Sequence, residues 1–398
     1  MKTKNQDVYT QRLTQQPKQF VQNMKKKLSI IGIVGAILLG HACQRDNSET
    51  TGRDDHNPTF IRLETPPHFS NPMPIPVDNP TTEEGVELGR FLFYDKRLSR
   101  DNTISCACCH KQEGGFADPG RQFSLGVDGQ ESLLNSMAIV NMIWQSHFFW
   151  NGRSHSLEHQ AFFPVVDPLE MDNTWEDVVQ KISAVDFYPA MFKAAYGDEN
   201  VTQDRIIKAI SQFQRTLISS NSKYDKAKLQ NPPQATFTPL EEHGFFLFEL
   251  SEKGDCFHCH GATFSGQTFA AFGAVQFSNN GIDGPGEMNP GRYEVTGDPS
   301  DFGKFKIPTL RNIGLTGPYM HDGRFATLRE VIDHYNSGGK MSATIDVNMK
   351  HVGMGLNLTE YDKQALEAFL ETLTDADFVT NPAFSDPFVN DPNFIPCP

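Results

Sequence analysis

The sequence predicts a mainly α protein whose two halves follow one plan. Apolar residues recur at three- and four-residue steps in 83–94 and again in 203–218, where Ile206, Ile207, Ile210, Phe213 and Leu217 mark one helical face. A Cys-x-x-Cys-His pattern occurs twice, at 106–110 and 256–260, each time after a helical stretch. Alternating β patterning is sparse.

The first half runs over 81–225. Residues 226–237 break the helical pattern with Pro232 and Pro233 and read as an interdomain linker. The second half, 238–398, opens at Thr238-Pro239-Leu240-Glu241, a capping box with proline at the first helical position, and leads through Phe245, Phe246 and Phe248 to the second motif. A chain of 398 residues is long enough for two domains that each bury a core. No short internal period suggests a solenoid.

Residues 1–42 read as a targeting segment. Lys25, Lys26 and Lys27 precede an apolar run from Leu28 to Leu39 that is too short to span a bilayer as a helix. Gly40-His41-Ala42-Cys43 resembles a lipoprotein cleavage site, although Gly40 stands where an aliphatic residue is usual. The expectation is export to the periplasm or cell envelope with a lipid anchor at Cys43; a plain signal peptide is the alternative. Met24 is a second possible start. Residues 43–80, polar and rich in proline, read as a tether. Beyond residue 42 the chain carries 28 basic and 48 acidic residues, a net of −20. Such a body repels nucleic acid and attracts a cationic protein.

In Cys-x-x-Cys-His the two thiols add across the vinyl groups of a haem, and the adjacent histidine reaches the iron. At the chain's composition about 0.004 such motifs are expected by chance, so two are informative. A zinc knuckle needs four converging ligands, and a redox Cys-x-x-Cys needs no histidine next to it. The sequence therefore predicts two covalent haems c, held by Cys106, Cys109 and His110, and by Cys256, Cys259 and His260. Cys108 and Cys397 are left over. Because Cys108 lies inside a haem motif, two separate thiols are expected rather than a disulfide. Residues 111–146 contain no histidine, only Met137 and Met142 as soft donors, so the first haem has no nearby ligand for its second face.

Three further stretches accompany these motifs: Leu88 to Ser99, Phe149 to Arg153 continuing to Pro168-Leu169-Glu170-Met171, and Pro308 to Asn312 continuing to Pro318-Tyr319-Met320-His321-Asp322-Gly323. In this order, between Leu88 and Leu373, they resemble the bacterial di-haem cytochrome c peroxidase and MauG family. The resemblance implies two cytochrome c-like domains, a peroxidatic N-terminal haem, an electron-transferring C-terminal haem and a calcium ion between them. It implies an inter-haem Trp150, a distal Gln160 and a distal Glu170, ten residues apart as in the family. Glu170 would move a proton between the two peroxide oxygens, which is carboxylate chemistry. By themselves Trp150 reads as core and Glu170 as surface. His147, His155 and His159 read as helix or pocket-wall residues.

For the second haem the resemblance implies a ligand fourteen residues after His321, where Tyr335 stands, as in MauG; Met341 is the rival. A phenolate favours ferric iron and a low potential. Calcium is implied at Asn135, Thr316 and Pro318, a set of oxygen donors. The expected activity is reduction of hydrogen peroxide with electrons from a small cytochrome c or cupredoxin. The alternatives are a MauG-like oxidase that modifies a partner protein and a non-catalytic electron-transfer cytochrome. Family members often dimerise, so a homodimer is expected by analogy.

Overall fold

The computed structural model describes residues 56–69, 74–254, 256–260, 277–391 and 396–397. The targeting segment and Cys43 lie outside them. The helices, in chain order, are α1 (Glu83–Tyr94), α2 (Cys106–Cys109), α3 (Leu157–Val166), α4 (Trp175–Ser183), α5 (Tyr188–Tyr196) and α6 (Gln203–Thr216), then α7 (Pro239–Phe245), α8 (Phe257–His260), α9 (Tyr293–Thr296), α10 (Leu328–Ser337), α11 (Glu360–Glu371) and α12 (Ala376–Val379). The described strands are β1 (Phe277–Ser278) and β2 (Phe305–Lys306), paired antiparallel with Phe277 opposite Lys306. The fold is mainly α. Among the described residues no helix is long and apolar enough to cross a membrane.

Caps explain where the helices begin. Thr82 accepts the Gly85 N–H at 3.0 Å to start α1, and the expected capping box forms between Thr238 and Glu241 at α7. Equivalent boxes open α10 at Thr327–Glu330 and α11 at Thr359–Asp362.

One helix pair organises each half, α1 against α6 and α7 against α11. The two crossings use the same device. A Cβ on Gly89 would sit 1.9 Å from the Ala209 carbonyl oxygen and 3.0 Å from Cβ of Phe213; on Gly244 it would sit 1.9 Å from the Ala365 oxygen and 2.7 Å from Cβ of Phe369. Only glycine lets the backbones approach this closely, and the phenylalanine four residues beyond each alanine fills the groove below. A shared plan is thus built into the packing as well as the motifs.

Leu88, Leu92, Phe93, Ile206, Ile210 and Phe213 lie in one hydrophobic core, and Tyr224, Leu247, Phe248, Leu366 and Phe369 in another. The segment 226–237 is anchored rather than loose. It begins as a wide turn in which Gln230 N–H reaches the Asp225 oxygen, and Leu229 and Phe237 pack on the second core. Between the cores Arg311, fully buried, donates to Asp225 at 2.5 Å, and His68 contacts the same carboxylate at 3.1 Å. Burial resists ionisation of Asp225, but the Arg311 guanidinium and the other donors hold its carboxyl well below the usual range.

The expectation of two separate thiols is corrected here: Cys108 and Cys397 form a disulfide across 289 residues of sequence. After α12 the chain returns to the first core. Phe378 and Phe384 pack on Phe116, Phe388 lies 5.4 Å from Phe91, and the Tyr94 hydroxyl donates to the Phe384 carbonyl at 2.7 Å. Successive residues on a helical turn point about 100° apart, so Cys108 cannot share a face with both Cys106 and Cys109. It faces the tail instead. Closing so long a loop constrains the unfolded chain strongly. Cys397→Ser is therefore expected to cost about 2–5 kcal/mol of stability, read by denaturant unfolding of the protein with both haems attached. Unchanged stability would mean that the aromatic packing alone holds the tail.

Candidate haem sites

The first site is built on α2. Cys106 and Cys109 carry free thiols on this single turn, and burial pushes both up to about 12. His110 follows directly. Gly115 and Phe116, both with positive φ, turn the chain back so that His110 Nδ1 meets the Phe116 carbonyl at 3.0 Å. That contact fixes the ring and leaves Nε2 as the donor for a metal. Burial lowers the His110 pKa, favouring the neutral ligand form.

Glu170 belongs to this site. Its backbone carbonyl accepts from Val127 N–H at 2.8 Å, and its own N–H donates to Asp167 at 3.0 Å. Its charge is felt at both Cys106 and Cys109. Burial first, and Asp167 second, push the Glu170 carboxyl up to about 8, against the pull of Arg153. The Arg153 guanidinium lies 3.6 Å above the Phe149 ring. Gln160 is half-buried on α3, where its N–H bonds the Ser156 carbonyl. His155 and His159 are exposed, and His147 meets His155 edge-on at 4.5 Å.

The second site is a large, mainly apolar cavity whose wall includes Cys256, Cys259, His260 and Tyr335. Burial lowers the His260 pKa to about 4. The Pro308 carbonyl offsets this only partly, because it lies near the ring without meeting Nδ1 in hydrogen-bond geometry. Tyr335, on α10, receives a hydrogen bond from Asn280 Nδ2 at 3.2 Å. Burial raises its pKa, so a phenolate forms here only beside a cation. Met341 is 61 % exposed and is not on this wall.

Trp150 is buried at the edge of the same cavity. Its indole Nε1 donates to the Asn135 carbonyl at 2.8 Å, and its carbonyl accepts from Lys306 N–H at 2.7 Å. Phe305 stacks on His321 at 3.8 Å, and Trp150 stands edge-on to both rings. Both sites fit a haem in kind: two thiols outside any disulfide, a neutral histidine beside them, and at the second an apolar cavity.

A model of the family described as di-haem cytochrome c peroxidase matches residues 83–232. The methylamine utilization protein MauG of Methylorubrum extorquens is 33% identical over 79% of this chain and 83% of its own. The chain belongs to the di-haem cytochrome c peroxidase and MauG family. Cytochrome c551 peroxidase of Nitrosomonas europaea is 34% identical over 76% of this chain and 83% of its own. Among solved structures, a MauG-like protein associated with microbial copper homeostasis superposes with a TM-score of 0.74 at 39% identity, covering 82% of this chain and 99% of that one. The di-haem peroxidase BthA of Burkholderia thailandensis shares the fold at 22% identity and a TM-score of 0.64.

Among the residues expected to hold calcium, Asn135 donates its N–H to the His321 carbonyl at 2.9 Å, and its amide nitrogen donates to the Arg121 and Gln122 carbonyls. Thr316 is half-buried and Pro318 buried, and Gly120 N–H meets the Gly317 carbonyl at 2.9 Å. Neutral amide and carbonyl oxygens of this kind suit calcium. Two side chains escaped the sequence reading. Arg153 stands in a recognised stretch but carried no assigned role, and Lys306, just before the Pro308 to Asn312 stretch, carried none either although it is buried.

Proposed function

We propose that this chain is an exported MauG-like enzyme that consumes hydrogen peroxide at the first haem and oxidises side chains of a partner protein through the second. The observation that carries this reading is Tyr335, on the cavity wall with Cys256, Cys259 and His260 while Met341 lies in solvent. As a tyrosinate, Tyr335 would favour oxidised states of a haem held there, which suits storage of oxidising equivalents better than uptake of electrons from a donor. Cys106, Cys109 and His110 would hold the first haem, which when bound would supply the two-electron chemistry for cleaving the peroxide O–O bond.

The protein's own groups then have separate tasks. Glu170 takes the proton from the inner peroxide oxygen and returns it to the outer one, so that water leaves. Gln160 orients the bound oxygen. Trp150, at the edge of the second cavity, relays oxidising equivalents between the two haem domains. Calcium at Asn135, Thr316 and Pro318 would hold the segments that carry Trp150 and His321 together. Haem c is attached outside the cytoplasm, which agrees with a signal segment and a lipid anchor at Cys43.

A second reading, a peroxidase fed by a small cytochrome c or cupredoxin, is favoured by the relative named cytochrome c551 peroxidase and by the acidic body. One experiment separates the two. Stoichiometric hydrogen peroxide is added to the fully oxidised holoprotein and the optical and EPR spectra are followed with and without reduced cytochrome c. Oxidising equivalents that persist beside the donor support the MauG-like enzyme. Steady donor oxidation supports the peroxidase, and no reaction even after half-reduction would overturn both.

A further inference from the structure

We propose that Lys306 is the counter-ion of a propionate of the haem bound at Cys256 and Cys259. This rests on that haem filling the second cavity, not on the identity of the oxidised substrate. Lys306 is only 5% exposed and lies on the wall of the cavity that also holds Cys256, Cys259 and His260. Its backbone is fixed on both sides, by β pairing to Phe277 and by the N–H bond to the Trp150 carbonyl.

Among the described residues its ammonium group has no carboxylate partner of the kind that other buried cations have. Arg311 pairs with Asp225, and Arg215 with Glu158. Among the described residues Lys306 Nζ reaches only the neutral Gln145 Oε1, and no carboxylate lies within ion-pair distance. His147, which feels the Lys306 charge, also feels His155 and Arg292, and none of these groups adds negative charge. A buried cation without a counter-charge is costly, and an ammonium has three donors, of which Gln145 takes one. Burial alone pushes the Lys306 amine down to about 8, and an adjacent anion would raise it again by stabilising the charged form.

The ligand expected in this cavity brings the missing group. A haem tethered by two thioethers keeps two propionate carboxylates, and a buried carboxylate needs a donor as much as Lys306 needs an acceptor. The pairing also removes a bare positive charge from beside Trp150, where it would oppose oxidation of the indole.

The test uses the holoprotein with both haems attached. Lys306→Met is expected to make reduction of the second haem at least tenfold less favourable, which is 59 mV for a one-electron couple, because removing a cation favours the ferric state. The propionate bands in resonance Raman or infrared spectra should shift in the same variant. The first haem's potential should not change, and Lys306→Arg should restore both signals. If Lys306→Met is not recovered with both haems, Lys306→Gln, which keeps a donor without the charge, carries the same comparison. Unchanged potential and unchanged propionate bands would overturn the assignment. So would a potential change that Lys306→Arg does not restore and no propionate band follows, since that marks a packing role. Neither readout depends on peroxide turnover, so failure here is distinct from failure of the proposed function.

Discussion

Glu170→Gln is expected to slow the reaction of the oxidised holoprotein with hydrogen peroxide by about 10²–10⁴-fold, the range over which positioned acid–base groups act. Glutamine keeps the shape and can still donate or accept a hydrogen bond, but it cannot take the peroxide proton and give it back. Stopped-flow mixing with peroxide reads this directly. The wild-type rate carries a second signature. With Glu170 pushed up to about 8, most of the carboxyl is protonated at pH 7 and idle as a base. The rate should rise with pH and level off above about 8, and Glu170→Gln should remove that rise. A rate that is flat with pH, or a variant as fast as the parent, would take the proton shuttle away from Glu170.

The same raised pKa makes a statement about stability. The folded chain holds this proton up to about pH 8, whereas the unfolded chain releases it in the ordinary carboxyl range. Between those values the unfolded state binds fewer protons, so this group's contribution to stability falls as pH rises. Glu170→Gln should therefore gain stability over the parent between pH 5 and 8. A residue that weakens the fold to place an ionisable group is what a working site requires.

The parts of this molecule that were legible in its sequence are those in which covalent or backbone geometry fixes the spacing. Two thiols and a histidine must fall within five residues to hold a haem, and a capping box must place Glu241 three residues after Thr238. The helix expected over 203–218 runs from Gln203 to Thr216, because its apolar face repeats with the helical period. What stayed hidden depends on which distant segments meet. Cys397 finds Cys108 only because the tail is led back by Phe378, Phe384 and Phe388, which no local pattern announces. Lys306 drew no attention in the sequence, because its burial depends on the Trp150 loop and the second cavity's wall meeting at β2. Tyr335 and Met341 were rivals in the sequence because both follow the His321 motif at short range. The fold separates them, since α10 turns Tyr335 inward and ends at Ser337, before Met341.

That separation makes Tyr335→Met the sharper test of how the second haem works. Methionine at this position offers a neutral thioether in place of a phenolate, and axial ligands move haem potentials over about 0.8 V in all. The second haem's potential should rise by on the order of hundreds of millivolts, as read by spectroelectrochemistry of the holoprotein. A more easily reduced second haem accepts electrons from a small donor, so the variant should oxidise reduced cytochrome c in the presence of peroxide faster than its parent. It should also hold oxidising equivalents for a shorter time, and lose activity on a protein substrate in proportion. Met320 and Met349 share the cavity wall, and the Asn280 amide that bonds Tyr335 also reaches the Met320 sulfur at 3.4 Å. An unchanged potential would therefore mean that Tyr335 does not hold the iron, and Met320→Leu and Met349→Leu would show whether either sulfur does.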